Sequence, residues 1–424
     1  MWESFHHNGI YYPSIYIQTK NYMIYDHKYI QLGPIAEMYA YLFYKVKDKY
    51  KDQTFNNNFF RSWKKYLPKN TIIKHFQLCN FSHFAKKNPQ KSQEIPLRFK
   101  TCIIDGQTYP INYPSMEPAC IFSGRGEHPL RGTIKPLILP EDVTLNLSKN
   151  APIPLCPLSG HNWGVIIHNN NVNWIASWKD SMGNLKYIYP MCDNFMKEKF
   201  EFAQSLKQKL NTIRKKYNLL LDSESLKHKQ LATAIWLVDH YCIRVGNEKP
   251  DDSADTVGCC TLRLEHINCH ENILTLNFLG KDSIPCTKKI KLDPKVYKNI
   301  LQFTKNKTQK DQLFDLIDAS MCNRYLQKLL PNLTAKVFRT CHASSKFCNL
   351  LNQSNSKKEY IIANKKIAKL CNHTNTTTSK NNYIDPRITF AFVRRHQLNI
   401  HNFFSESQLE KYKWAIDTNS TFKF

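Results

Sequence analysis

From Asp193 onward the apolar positions fall at steps of three and four. Phe200, Ala203, Leu206, Leu210, Ile213 and Tyr217 share one face with lysines opposite, which predicts an amphipathic helix. A second helix is predicted after Asp222-Ser223, with Leu231, Ala234, Ile235, Val238 and Tyr241 turned inward. Gly246 suits its stop, which puts Arg244 in the last turn. The period then shortens to strand-like runs at Cys259–Leu264, Ile273–Leu279 and Lys288–Leu292. Gly280-Lys281-Asp282-Ser283 is the turn between the last two, so Lys281 projects from a hairpin tip. Asp293-Pro294 reads as an N-cap followed by proline at the first helical position, opening a helix to about Phe303. Tyr360, Ala363, Ile367, Leu370 and Cys371 predict another helix ending near His373.

The amino-terminal part reads differently. Short strand-like runs (Ile10–Ile17, Lys100–Ile104, Val165–Ile167 and Val172–Trp178) alternate with prolines and aromatics. The polar turn His168–Asn171 separates the last two. Helices are predicted at Pro34–Val46 and Asn57–Tyr66, and Lys86–Ser92 reads as a charged surface connector. Near the other end, Thr374–Asn382 is polar and β-branched, without apolar anchors, and reads as an unpacked linker. Ile384–Phe424 follows as a small helical unit.

Bulk properties narrow the function. At 424 residues, two or three domains are expected. Sixty Lys and Arg against 34 Asp and Glu give a formal charge of +26, spread along the chain, which favours a polyanionic partner. The 14 cysteines form no C-x-x-C pair and sit largely in apolar runs, as reduced thiols inside a cell would. Cys269-His270 and Cys371-Asn372-His373 lack a second pair at zinc spacing, so no metal is expected. No apolar signal core or membrane-spanning segment is legible, and the reading is a soluble protein without a membrane partner.

Taken singly, the candidate chemical residues are weak. Tyr383 is one of 22 tyrosines. Arg244 could complement a helix dipole, Lys281 could be a solvated turn residue, and Arg339 could be a structural ion-pair partner. His373 could cap a helix. Together, two arginines, a lysine, a histidine and a late tyrosine are what metal-free phosphodiester cleavage requires.

The words around them resemble the eukaryotic type IB DNA topoisomerases. R-V-G-N-E-K followed by A-D-T-V-G-C-C-T-L-R-L-E-H-I is similar to the segment of that family's first catalytic arginine. F-L-G-K-D-S-I resembles the segment of its lysine, L-T-A-K-V-F-R-T that of its second arginine, L-C-N-H that of its histidine and N-Y-I-D-P-R-I that of its nucleophile. N-F-F-R-S-W-K-K, C-I-F-S-G-R-G-E-H-P and W-I-A-S-W extend the likeness into the amino-terminal half.

The resemblance implies an α+β, bi-lobed DNA clamp, with a mixed α/β cap lobe over 1–190 and a mainly helical catalytic lobe over 191–373. The latter would be of the tyrosine recombinase and type IB topoisomerase type. A short vestigial linker over 374–382 would lead to a carboxy-terminal domain over 383–424. It implies catalysis by Tyr383, Arg244, Lys281, Arg339 and His373, on double-stranded DNA in the nucleus, by a monomer needing neither ATP nor metal. Arg125, Lys281, Lys336 and Asn382 would touch DNA. Arg125, Asp282 and Asn382 would line the pocket of camptothecin-like inhibitors, although Ser123 and Glu127 depart from the nuclear enzymes' pattern. The long charged tail and the coiled-coil hairpin of nuclear members are not expected. Extended, Thr374–Asn382 would span at most about 30 Å, enough to deliver the tyrosine. Two rivals remain: a tyrosine recombinase, which usually has histidine where Lys336 stands, and an inactive duplex-binding clamp.

Overall fold

The amphipathic pattern after Asp193 is realised as a helix over Asp193–Leu219, with Phe200, Ala203, Leu206, Ile213 and Tyr217 buried. The computed structural model describes residues 2–14, 16–19, 21–48, 52–85, 94–191, 193–248 and 254–424. The connector read at Lys86–Ser92 lies outside them. The fold mixes α and β, and the chain divides into two compact units, Met1–Cys192 and Asp193–Phe424.

In the first unit, the helices Pro34–Val46 and Gln53–Trp63 enclose an aromatic core in which Phe43 stacks on Phe59 at 4.2 Å. Asp52 caps the second helix at the Phe55 amide (2.8 Å) and pairs with Arg131. Among the described residues of the run Ile10–Ile17, no strand forms. Pro13 lacks the amide a ladder needs, and Tyr11 makes only an isolated bridge to Ser115. The paired strand here is Phe5–His7, against Thr101–Ile104. Val165–Ile167 and Ala176–Lys179 are not partners either, since Thr144–Asn146 lies between them and runs parallel to the first. The buried Asn146 side chain holds the intervening turn, accepting from the Asn169 amide (2.9 Å) and donating to its carbonyl (3.1 Å).

In the second unit, the helix Leu226–Tyr241 is buried on every side from Gln230 to Asp239 rather than along one stripe. Its buried Gln230 and Asp239 are partnered, whereas the Thr233 hydroxyl is not. Asp239 accepts from Arg214 (2.8 and 3.0 Å), the Tyr217 hydroxyl (2.7 Å) and His342 Nε2 (2.7 Å). Burial alone would raise the pKa of Asp239, but His342 and Arg214 hold it well below the ordinary carboxylate range. Three helices thus meet on one carboxylate.

That helix stops earlier than Gly246 suggested. Cys242, at φ 56°, is its left-handed cap, so Arg244 lies beyond the last turn, outside any helix or strand. The run Cys259–Leu264 is not a strand but two short 3₁₀ turns, Cys259–Thr261 and Leu264–His266. Its first amides bind the Arg244 carbonyl (2.8 Å, from Cys259) and the Val245 carbonyl (2.7 Å, from Cys260). Gly246 is needed for contact rather than for capping. A Cβ there would come 2.6 Å from the Gly258 Cα, and one on Gly258 would come 2.5 Å from the Gly246 Cα.

An antiparallel sheet follows, ordered Ile267–His270, Ile273–Gly280, Ile284–Lys291. The last two strands begin at the pair Gly280↔Ile284, so the hairpin is longer than the hydrophobic runs indicate. The helix Pro294–Phe303 starts as expected, with Asp293 accepting from the Lys295 amide. Thr374–Asn382 is not an unpacked linker: Asn375 caps a helix over Thr376–Asn382, and Ser379 is fully buried.

The Gly246–Gly258 contact yields a prediction. Gly246→Ala, which also strains a φ of +80°, and Gly258→Ala are each expected to destabilise the chain by roughly 1–3 kcal/mol. Urea unfolding measures this, and an unchanged midpoint for both variants would show the contact to be dispensable.

Candidate active site

Each candidate side chain is set by a local stop or turn. Arg339 projects from the helix Ala335–Leu351 into the interior and is 3% exposed. His373 follows the helix Lys357–Leu370, which ends with Asn372 in the left-handed region (φ 52°). The His373 amide returns to the Ala368 carbonyl (2.9 Å) and the Asn372 amide to Lys369 (3.2 Å), a Schellman-type closure that fixes where the imidazole begins. Tyr383 ends the helix Thr376–Asn382, its amide bound to the Ser379 carbonyl at 2.9 Å. Ser344 pins it from below, donating to the Tyr383 carbonyl (2.9 Å) and accepting from the Asp385 amide (3.0 Å).

These groups meet at Arg339. Its guanidinium donates to the Cys371 carbonyl at 2.8 Å and to His373 Nε2 at 3.4 Å. It also lies over the Tyr383 ring, 5.0 Å from the centroid, while the His373 and Tyr383 rings are 5.3 Å apart. Because an arginine only donates, Nε2 accepts, and the ring proton sits on Nδ1, 2.6 Å from Ser379 Oγ. Arg339 also lines a small, partly open cleft together with Arg244, Lys281, Lys288, Cys242 and Asn372. Lys281 stands exposed at the hairpin tip, where Asp282 and Ser283 both take positive φ.

The electrostatics follow from crowding cations in a half-enclosed space. Burial first, and then Arg339 and Arg244, lower the pKa of His373 to about 4, so the imidazole is neutral at pH 7. Burial and Arg339 likewise lower that of Arg244. Cys242 is pushed up to about 12 by burial, and Cys286 and Cys371 are raised for the same reason, so the thiols around the cleft stay protonated.

Lys336 is exposed in the first turn of the Arg339 helix. Asn382 is exposed, and its carbonyl accepts from Lys199. Arg125 belongs to the first unit, exposed between Gly124 and Gly126, with Ser123 half-buried and Glu127 exposed nearby. Among the described residues, no group of three or more His, Cys, Asp or Glu could hold a metal ion, and no helix is long and apolar enough to cross a membrane.

Sequence reasoning missed Ser379, Ser344, Lys199 and Lys288. Only Lys288 carried a signal, since it shares the inward period of Cys286 and Ile290 on its strand.

The depressed His373 pKa gives a pH prediction. Between about 4 in the folded state and about 6.5 in the unfolded state, the unfolded chain binds the extra proton. The stability held at neutral pH is therefore complete above 6.5 and is lost as pH falls through 4. His373→Gln is expected to flatten that part of the stability–pH curve measured by urea unfolding. The His373 imidazole should titrate near 4 by NMR, and titration near 6.5 would contradict the geometry.

Comparison with known proteins agrees along the chain. The family model described as eukaryotic DNA topoisomerase I, catalytic core, matches residues 193–388. The DNA binding fragment of the same family matches 1–96 and 84–190, and a C-terminal topoisomerase domain matches 356–424. DNA topoisomerase 1 of Candidozyma auris is 35% identical over 410 residues, covering 87% of this chain and 55% of the relative. The Homo sapiens protein of that name is 36% identical over 374 residues (80% and 49%), and DNA topoisomerase 1 beta of Arabidopsis thaliana is 34% identical over 405 (87% and 44%). The chain spans about half the length of these curated relatives. With all three models aligned in order over nearly its whole length, the chain belongs to the eukaryotic DNA topoisomerase I family.

Proposed function

We propose that the chain is a type IB DNA topoisomerase, an isomerase that relaxes positive and negative supercoils of nuclear DNA without ATP or an obligatory metal. The observation that carries the reading is the convergence on Arg339, which touches His373 and the Tyr383 ring on one side and lines the cleft of Arg244 and Lys281 on the other. In this reading Tyr383 Oη attacks the phosphorus, the P–O5′ bond breaks, and Lys281 gives a proton to the departing oxygen. Arg244 and Arg339 fork onto the non-bridging oxygens and stabilise the charge that develops there. His373 adds a donor through Nε2 in its other tautomer, which the Ser379 hydroxyl permits because it both donates and accepts. The 3′-phosphotyrosyl bond keeps the energy of the broken link. After the free strand rotates, the 5′ hydroxyl attacks and the steps reverse.

The two units would act as cap and catalytic lobes of a clamp, with Ile384–Phe424 carrying the nucleophile, and a monomer suffices. Arg125, Lys336 and Asn382 would contact DNA, and Arg125, Asp282 and Asn382 would form the camptothecin-type pocket. Lysine at position 336 favours this reading over a recombinase.

Relaxation of supercoiled plasmid in EDTA without ATP is the direct test, and no relaxation would overturn the proposal. Tyr383→Phe is expected to abolish cleavage while leaving duplex binding nearly intact, and full relaxation by this variant would reject the nucleophile. Arg244→Ala and Arg339→Ala should each slow cleavage by about 10²–10³-fold, with a smaller loss for His373→Ala. The short connection from His373 to Tyr383 leaves no projecting hairpin to brush rotating DNA. Inserting a basic helical hairpin at Thr374 is expected to slow rotation in single-molecule traces and to raise salt tolerance.

A further inference from the structure

We propose that Lys288 is a positioning residue for this reaction: one ammonium ties together the three elements that carry Arg244, Lys281 and His373. The inference rests on the function proposed above.

The geometry is specific. Lys288 lies on the second strand of the hairpin whose tip carries Lys281, on the inward side with Cys286 and Ile290. Its Nζ donates to the Tyr241 carbonyl at 2.9 Å and to the Leu370 carbonyl at 2.9 Å. Tyr241 is the last helical residue before the segment bearing Arg244, and Leu370 is the last before His373. Each acceptor therefore lies three residues upstream of a candidate catalytic side chain. Both are helix C-terminal carbonyls, which have no partner within their own helix and carry the negative end of its dipole.

A cation shared by two such ends satisfies two orphan acceptors and fixes the distance between the helices. Because the same lysine grows from the hairpin, it also fixes the strand that leads to Lys281. Burial lowers the Lys288 pKa, and the neighbouring Arg339 adds to this, so the two carbonyls compensate an ammonium taken out of water. Lys288 also lines the cleft with Arg244, Lys281 and Arg339. A phosphate bound there is thus held by groups whose mutual spacing depends on this strut.

The test compares Lys288→Met, which keeps the stem and removes the donors, with the wild-type chain in single-turnover cleavage of a duplex oligonucleotide. A wild-type chain that does not cleave defeats the function proposed above, and only a cleaving one tests Lys288. Misplacing reacting groups by about 1 Å can cost about 10²-fold, so the Met variant is expected to cleave about 10²-fold more slowly, with duplex affinity within about twofold of wild type. An unchanged cleavage rate, or a loss confined to affinity, overturns the proposal. A double-mutant cycle separates positioning from general stability. In the His373→Ala background the same Met substitution is expected to cost about tenfold or less, because one of the groups it places is gone. Fully multiplicative losses would reduce Lys288 to a structural role. Should the Met variant not fold, Lys288→Gln, which keeps amide donors on a shorter stem, carries the same two comparisons.

Discussion

The second unit is organised around like charges held close together. Arg244, Lys288 and Arg339 share a partly enclosed cleft with Lys281 at its rim, and after burial it is Arg339 that lowers the pKa of both Arg244 and Lys288. In water such a cluster would disperse. Here backbone carbonyls offset the repulsion: Leu370 and Tyr241 accept from Lys288, and Cys371 accepts from Arg339. These acceptors are neutral, so they orient the cations without cancelling their field. An incoming phosphate meets donors already in place, which is the condition for electrostatic stabilisation of a developing charge.

The same enclosure controls which groups near the cleft can react. Thiolates would be strong competing nucleophiles, yet Cys242, Cys286 and Cys371 are kept as thiols by burial. His373 is kept neutral by burial and by the arginines, so it adds no further positive charge to a crowded site. Tyr383 is different. Its ring lies under the Arg339 guanidinium, and its backbone is held from two directions by Ser379 and Ser344. The residue that would be asked to ionise faces a cation, and those that would interfere face apolar packing.

Much of this was legible in the residues, for identifiable reasons. The helix Asp193–Leu219, the helix opened by Asp293-Pro294 and the hairpin at Lys281 follow strong periodicity or cap chemistry. Three features escaped because tertiary contacts overrode local signals. Gly246 reads as a helix stop, but its purpose is to let Gly258 approach within contact distance, while the helix already stops at Cys242 and leaves Arg244 beyond it. The apolar run Cys259–Leu264 is buried like a strand, yet its amides are engaged by the Arg244 and Val245 carbonyls, so short 3₁₀ turns result. Thr374–Asn382 has poor helix propensity, yet a good cap at Asn375 and the buried contact between Ser379 and His373 make it helical. The candidate site was legible as words in order, whereas the cation Lys288 was hidden because a lysine on an inward strand position reads as an exception to the pattern.

Two buried carboxylates, Asp239 and Asp385, complete the logic by being occupied elsewhere. Asp239 is fully buried one helix away, and Arg214, Tyr217 and His342 saturate it. Asp385, two residues after Tyr383, is taken up by Arg387 and by capping its own helix. His342 stands three residues after Arg339 on the same helix, so Asp239 anchors that helix through His342 and not through Arg339 itself. Had Asp239 reached Arg339 instead, a buried ion pair would have neutralised the cation and filled the donors a phosphate needs. Arg339 is left with two weakly competing acceptors, a carbonyl and a neutral imidazole, and a phosphodiester can displace the imidazole without breaking a charge pair. The fold thus commits Asp239 and Asp385 to partners other than Arg244 and Arg339.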